Sequence, residues 1–118
     1  MKEELKKQFS EAVKLKDAGQ FESAKRLLQD LREKDPNSTA IVAVLGHVYF
    51  DMRLFDEAVS TFKRAIQLSP TLEAVSLGLF HSLWRLRKLE EALEEVKRFQ
   101  SLSDSEEYRE IIKELNEK

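Results

Sequence analysis

The chain has 118 residues, 42% of them apolar and 36% charged, with a formal net charge of −2 and no cysteine. One domain is expected at this length, and so small a net charge leaves no basic field to hold nucleic acid. Disulfides and thiolate metal sites are excluded, and no apolar run approaches the roughly 20 residues of a membrane span.

Abundant Glu, Lys and Leu with few Gly and Pro predict an all-α protein of about seven helices. The charged opening, MKEELKKQ, lacks the apolar stretch of a signal peptide, so a cytoplasmic protein is expected. Leu5, Phe9, Ala12, Val13 and Leu15 give the first helix its apolar side. Asp17–Gln20 ends it, with Gly19 supplying permissive backbone for a tight turn. Phe21, Ala24, Leu27, Leu28 and Leu31 form the stripe of a second helix, which Pro36 cannot continue. Asn37, Ser38 or Thr39 can cap a third helix carrying Ile41, Val42, Val44, Leu45, Val48 and Tyr49. A turn near Met52–Leu54 leads into a fourth with Phe55, Ala58, Val59, Phe62, Ala65, Ile66 and Leu68. Ser69–Pro70–Thr71 repeats the stop-and-cap signal. Leu72, Val75, Leu79, Leu83 and Leu86 mark a fifth helix, and Leu89, Ala92, Leu93, Val96 and Phe99 a sixth. Ser103 with Glu106 reads as a capping box opening a last amphipathic helix with Tyr108, Ile111, Ile112 and Leu115. That helix suits the end of a stack, apolar inside and polar outside. The alternative is an amphipathic segment that docks a partner.

Pro36 and Pro70 lie 34 positions apart, and the interval recurs. Leu45, Gly46, Tyr49, Ala58, Phe62, Ala65 and Pro70 fall, one period back, on Glu11, Ala12, Leu15, Ala24, Leu28, Leu31 and Pro36. One period forward they fall on Leu79, Phe80, Leu83, Ala92, Val96, Phe99 and Asp104. A fixed period of this size means stacked helix pairs, and function then belongs to the surface that stacking creates. Small residues at Ala12, Gly46, Ala24, Ala58 and Ala92 allow close helix approach, and Tyr49 and Phe62 fill the space between pairs. Phe80 breaks the rule. Either the fifth helix moves outward or the next helix leaves a hole; a local shift is expected, because overpacking costs about 1–3 kcal/mol.

These residues resemble the tetratricopeptide repeat family. The middle copy carries the resemblance through Leu45-Gly46, Tyr49, Ala58, Phe62, Ala65 and Pro70, with Val42 where the family has Trp. The first copy matches through Ala12, Leu15, Ala24, Leu28 and Pro36; the third is degenerate, with Phe80 for glycine and Asp104 for proline. The resemblance implies a right-handed α-solenoid over a single domain, 1–118. Its units are repeats at 5–38, 39–72 and 73–106 and a capping helix at 104–117.

It also implies that the first helix of each pair lines a concave face where partners dock. Carried onto this chain, that face holds Phe9, Val13, Val44, His47, Phe50, Asp51, Leu77, His81, Trp84 and Arg85, with Ala74 and Gly78 among the lining places. His47 and His81 are equivalent, as are Phe50 and Trp84. Phe9, Val13, Val44, Phe50, Leu77 and Trp84 would form an apolar strip not needed for packing between repeats, and such strips mark interaction sites. The alternative is that the curve of the stack, or the last helix, covers part of the strip. A subset of the family grips acidic chaperone tails with a two-carboxylate clamp. The clamp places here are Phe9, Val13, Val44, Ala74 and Gly78, and none has a side-chain donor for a carboxylate. An apolar or amphipathic segment is the expected ligand.

No catalytic constellation is visible. Ser76 and Ser82 sit in no nucleophile elbow, and there is no glycine-rich phosphate loop. Glu90, Glu91, Glu94 and Glu95 are expected on a solvated face with Lys97 and Arg98. A helix spacing of roughly 10 Å puts His47 and His81 too far apart for one metal ion, so no metal or cofactor is expected. The reading is a non-catalytic protein-binding scaffold. The alternatives are a dedicated chaperone or toxin-neutralising partner using a broader surface and, less favoured, an enzyme or metal-binding protein. Self-association through the strip, as a homodimer, also stays open.

Overall fold

Each first helix of a pair ends in the same turn. Gly19 has φ +78°, and Arg53 and Arg87, one and two periods on, have φ 63° and 64°. In all three turns the next amide, of Gln20, Leu54 or Lys88, bonds back to the carbonyl of Leu15, Tyr49 or Leu83 at 2.8–2.9 Å. This 6→1 bond closes a helix that ends in a left-handed residue. Glycine enters that region freely, whereas arginine pays about 1–2 kcal/mol, so the turn is imposed by the repeat rather than by local preference.

The computed structural model describes residues 2–117; Met1 and Lys118 of the expected 1–118 domain lie outside the described residues. The helices are α1 (Glu3–Asp17), α2 (Phe21–Lys34), α3 (Thr39–Asp51), α4 (Phe55–Leu68), α5 (Glu73–Arg85), α6 (Leu89–Leu102) and α7 (Glu106–Asn116), with no strand among the described residues. None is long and apolar enough to cross a membrane. The stack measures 47 × 26 × 20 Å with a radius of gyration of 14.8 Å. A compact domain of this length would have about 13.5 Å, so the pairs are strung along an axis. From α1 to α6 each helix packs on the next. The first helices of successive pairs, α1 on α3 and α3 on α5, also pack together, and no two second helices pack as closely among the described residues. The first helices therefore lie on the inside of the curve.

Between the second and third pairs the core is set by shape. The ring of Phe62 is fully buried. A methyl on Gly46 would come within 2.7 Å of it, and one on Gly78 within 2.5 Å. Two glycines on two different helices thus seat one ring from α4. The repeat-equivalent places trade volume: Ala12 with Leu28, Gly46 with Phe62, Phe80 with Val96. Phe80 is buried at 3% exposure, stacked on Trp84 at 5.7 Å and edge-on to Tyr108 at 5.8 Å. The smaller Val96 stands where α4 has Phe62, and the Phe80 ring packs on Trp84 and Tyr108.

Three local expectations are corrected. α7 begins later than 104: its N-cap is Ser105, whose hydroxyl accepts from the Tyr108 amide at 3.1 Å, not Ser103. α5 follows Leu72 and has no side-chain cap, although Ser38 caps α3 as expected. Glu95 is buried, 6% exposed, rather than on a solvated face. Ser76 donates to Glu95 Oε2 at 2.5 Å, and Arg98 donates to both Glu95 oxygens at 2.7 and 2.8 Å. Since Ser76 gives its proton to Glu95, the 2.7 Å bond between Tyr108 and Ser76 must run from the phenol. Burial pushes the Tyr108 hydroxyl pKa well up, which keeps it a donor. Arg98 also donates to the Pro70 carbonyl at 2.9 Å. One period earlier Arg64 reaches Asn37 at 3.0 Å. α7 has no close backbone packing of the kind the other six helices share, and reaches the stack through Tyr108, Ile111 and Ile112.

Candidate functional site

On the inside of the curve, α3 and α5 enclose a depression of about 320 Å³ lined by His47, Phe50, Ala74, Leu77, Gly78 and His81. Its floor follows from the core beneath. Gly78 adds no side chain because Phe62 occupies the space below it. The same ring meets His47 edge-on at 4.9 Å, fixing the imidazole over the core. Ala74 and Gly78 are small, so Leu77 and Phe50 supply the apolar walls and the imidazoles the polar rim.

Electrostatics keep that rim neutral. Burial lowers the His47 pKa below its usual value, and nearby Lys16 lowers it further, while Asp51 acts the other way. Burial also lowers that of His81, against Glu107 of α7. Both rings are uncharged at neutral pH, each offering one donor and one acceptor. Among the described residues no three His, Asp or Glu side chains are placed to hold a metal ion.

Phe50 also belongs to a second cluster at the C-terminal ends of α3 and α5. It meets Phe55 edge-on at 5.2 Å. The Arg85 guanidinium lies 5.8 Å from the Phe50 ring centre and 5.0 Å from that of Phe55, and Arg53 lies 5.8 Å from Phe55. At such distances a guanidinium is drawn to a ring face.

The depression brings together four of the ten expected residues: His47, Phe50, Leu77 and His81. Arg85 touches its edge through Phe50. Asp51 is exposed beside His47, and Phe9, Val13, Val44 and Trp84 are half-buried outside the lining. Trp84 is not the counterpart of Phe50 in environment, because it stacks on Phe80 toward α7. The strip is not surplus to packing either: Phe9, Val44, Phe50, Leu77 and Trp84 all pack against the core. The large apolar residues that are exposed, Leu54, Leu72, Leu89, Leu93 and Leu102, belong to no part of the expected strip. Phe55 and Glu107 were missed. Both act on the site from neighbouring elements, and no spacing within one helix signals that.

A model of the tetratricopeptide repeat matches residues 15–65. The Yersinia enterocolitica type III secretion chaperone SycD, solved with a peptide of the translocator YopD, has a TM-score of 0.85 at 18% identity, over 99% of this chain and 90% of that one. The second TPR of Spaghetti, bound to the HSP90 peptide SRMEEVD, has a TM-score of 0.78 at 17% identity, over 86% and 94%. The family match covers 51 of the 118 residues, and the fold is that of these repeat structures. MamA is another similar structure, with a TM-score of 0.77 at 26% identity over 87% of this repeat chain and 57% of its own. In sequence, Cell division cycle protein 27 homolog A of Arabidopsis thaliana is 34% identical over 53 residues, 45% of this repeat chain. The matched stretch spans 7% of that plant protein's length.

Proposed function

We propose that this chain is a non-catalytic protein-binding module of the cytoplasm that takes an apolar or amphipathic segment of a partner on its concave face. The observation that carries the reading is the depression between α3 and α5, apolar in its walls, with two neutral imidazoles at its rim. Desolvating Leu77 and Phe50 supplies affinity, and the imidazoles orient a peptide backbone through hydrogen bonds. The similar structures that hold peptides support this class of role. The acidic HSP90 peptide held by Spaghetti is not the expected ligand here. The clamp places Phe9, Val13, Val44, Ala74 and Gly78 offer no side-chain donor to a carboxylate.

The test is a peptide selection against the chain, followed by affinity measurement on Leu77→Ser with His81→Glu. Selected peptides should lose at least about tenfold in affinity, the scale of a hot-spot truncation, while circular dichroism stays helical. Undiminished binding would move the site elsewhere.

A second reading, a dedicated chaperone using a broader surface, is favoured by the likeness to SycD over 99% of the chain, α7 included. It predicts that Glu110→Lys on the exposed side of α7 weakens partner binding without lowering the melting temperature. A role of α7 as cap alone predicts no change.

A further inference from the structure

Charge is ordered along the depression. At its α5 N-terminal end, Ala74 of the lining adjoins Glu73, and Glu73 lines a shared acidic hollow with Glu106, Glu107 and Glu110 of α7. The charge of Glu107 reaches His81 on the depression's rim. At the other end, Arg85 and Arg53 stand over Phe50 and Phe55, and neither forms an ion pair among the described residues. Asp51 shares that end, while Lys16 and Asp17 pair with each other at 3.1 Å. The Arg end therefore carries a net charge of +1 (Arg53, Arg85, Asp51) and the α7 end −4 (four Glu). Twelve helical steps separate Glu73 from Arg85, about 18 Å, which five or six residues of extended chain would span.

We infer that the occupant is a short extended segment of a protein partner with an apolar centre over Leu77, an acidic flank at Arg85 and Arg53, and a basic flank at Glu73 and Glu107. This inference rests on the peptide-binding reading above and adds its polarity. Complementary charges at the rim select among apolar segments and set their register, more than they add raw affinity. A segment acidic at both ends would meet four glutamates, and a segment basic at both ends would meet the guanidinium groups of Arg53 and Arg85.

The experiment uses four fluorescent peptides with one apolar centre and flanks that are neutral, both acidic, both basic, or one of each, measured by anisotropy at low salt. The mixed peptide should bind tightest, by about two- to fivefold per matched flank, and lose that advantage in 0.5 M salt. Arg85→Gln should weaken only peptides with an acidic flank, and Glu107→Gln only those with a basic flank. Tightest binding by a single-sign peptide, or equal effects of both variants on all four, overturns the polarity while leaving the site intact if the neutral peptide still needs Leu77. If no apolar-centred peptide binds, or binding ignores Leu77→Ser, the site and the polarity fall together.

Discussion

The two junctions on either side of the third repeat join helix pairs by opposite means. Between α4 and α5 the joint is dry: one ring, Phe62, seated against Gly46 and Gly78. Between α5, α6 and α7 the joint is a polar relay from Tyr108 through Ser76 to Glu95 and Arg98, beside the Phe80 ring. The first joint is internal to the repeat and needs only shape. The second ends the repeat, where α7 lacks close backbone packing, so directional bonds hold it in place. Shape complementarity can be reused along a stack, whereas a terminus has no following copy to complement.

The largest expected effect breaks the dry joint. Phe62→Ala leaves a ring-sized hole that rigid glycine backbones cannot fill, and should cost about 3–5 kcal/mol in denaturant unfolding. His47 loses its edge contact with Phe62 in the same change, so the depression should lose definition as well. Phe62→Leu with Gly46→Ala, which copies Leu28 and Ala12 of the first repeat, should recover much of the loss. A Phe62→Ala cost below about 0.5 kcal/mol, the usual range for an ordinary surface change, would show that the two glycines do not seat the ring.

The relay is expected to be weaker because part of it is wet. Glu95 is 6% exposed, but the Arg98 side chain is 30% exposed. Glu95→Ala leaves Ser76 without its acceptor and Arg98 without its partner. Breaking a fully buried pair costs 3–5 kcal/mol, and solvent at Arg98 brings the expectation down to about 2 kcal/mol. Glu95→Ala with Arg98→Ala should be no worse than Glu95→Ala alone, since no stranded charge remains. Additive losses in that double-mutant cycle would mean the four groups do not act as a relay.

The contrast also divides what was legible in the sequence from what was not. The dry joint left a mark, because the small–large pair Ala12 and Leu28 returns 34 residues on as Gly46 and Phe62. Its other half did not: Gly78 is equivalent to Val44 and Ser10, so nothing in the period points to a glycine there. The seven helices and the position of the first turn at Gly19 were readable. The left-handed backbone at Arg53 and Arg87 was not, since arginine does not favour it. At the site, the resemblance to the repeat family implied one face for His47, Phe50, Leu77 and His81, and these four share one depression. Glu95 looked solvated because Ser76, which donates to it, and Tyr108, which donates to Ser76, lie 19 and 13 positions away on other helices. Arg85 over Phe55, likewise, depends on how far one pair turns relative to the next. Pairings between elements are set by the curvature of the stack, which a local pattern does not encode.

The smallest effect tests whether the inner face shares the dryness of the joint beneath it. Folding lowers the pKa of His47, chiefly by burial, and that of His81 by the same cause. In the unfolded chain both titrate near 6.5. Between that value and the folded pKa the unfolded chain binds more protons, so stability is full above pH 6.5 and declines as pH falls through the folded value. Melting temperature should therefore drop slightly from pH 7.5 to 5.5, before carboxylates begin to titrate. His47→Gln should flatten the drop, because the remaining His81 is the more exposed ring. Asp51→Asn should deepen it, because Asp51 is the group that raises the His47 pKa. A melting temperature that rises on acidification over this range, with wild-type slope retained in His47→Gln, would mean that the imidazole over Phe62 sits in water and that the depression has no dry floor.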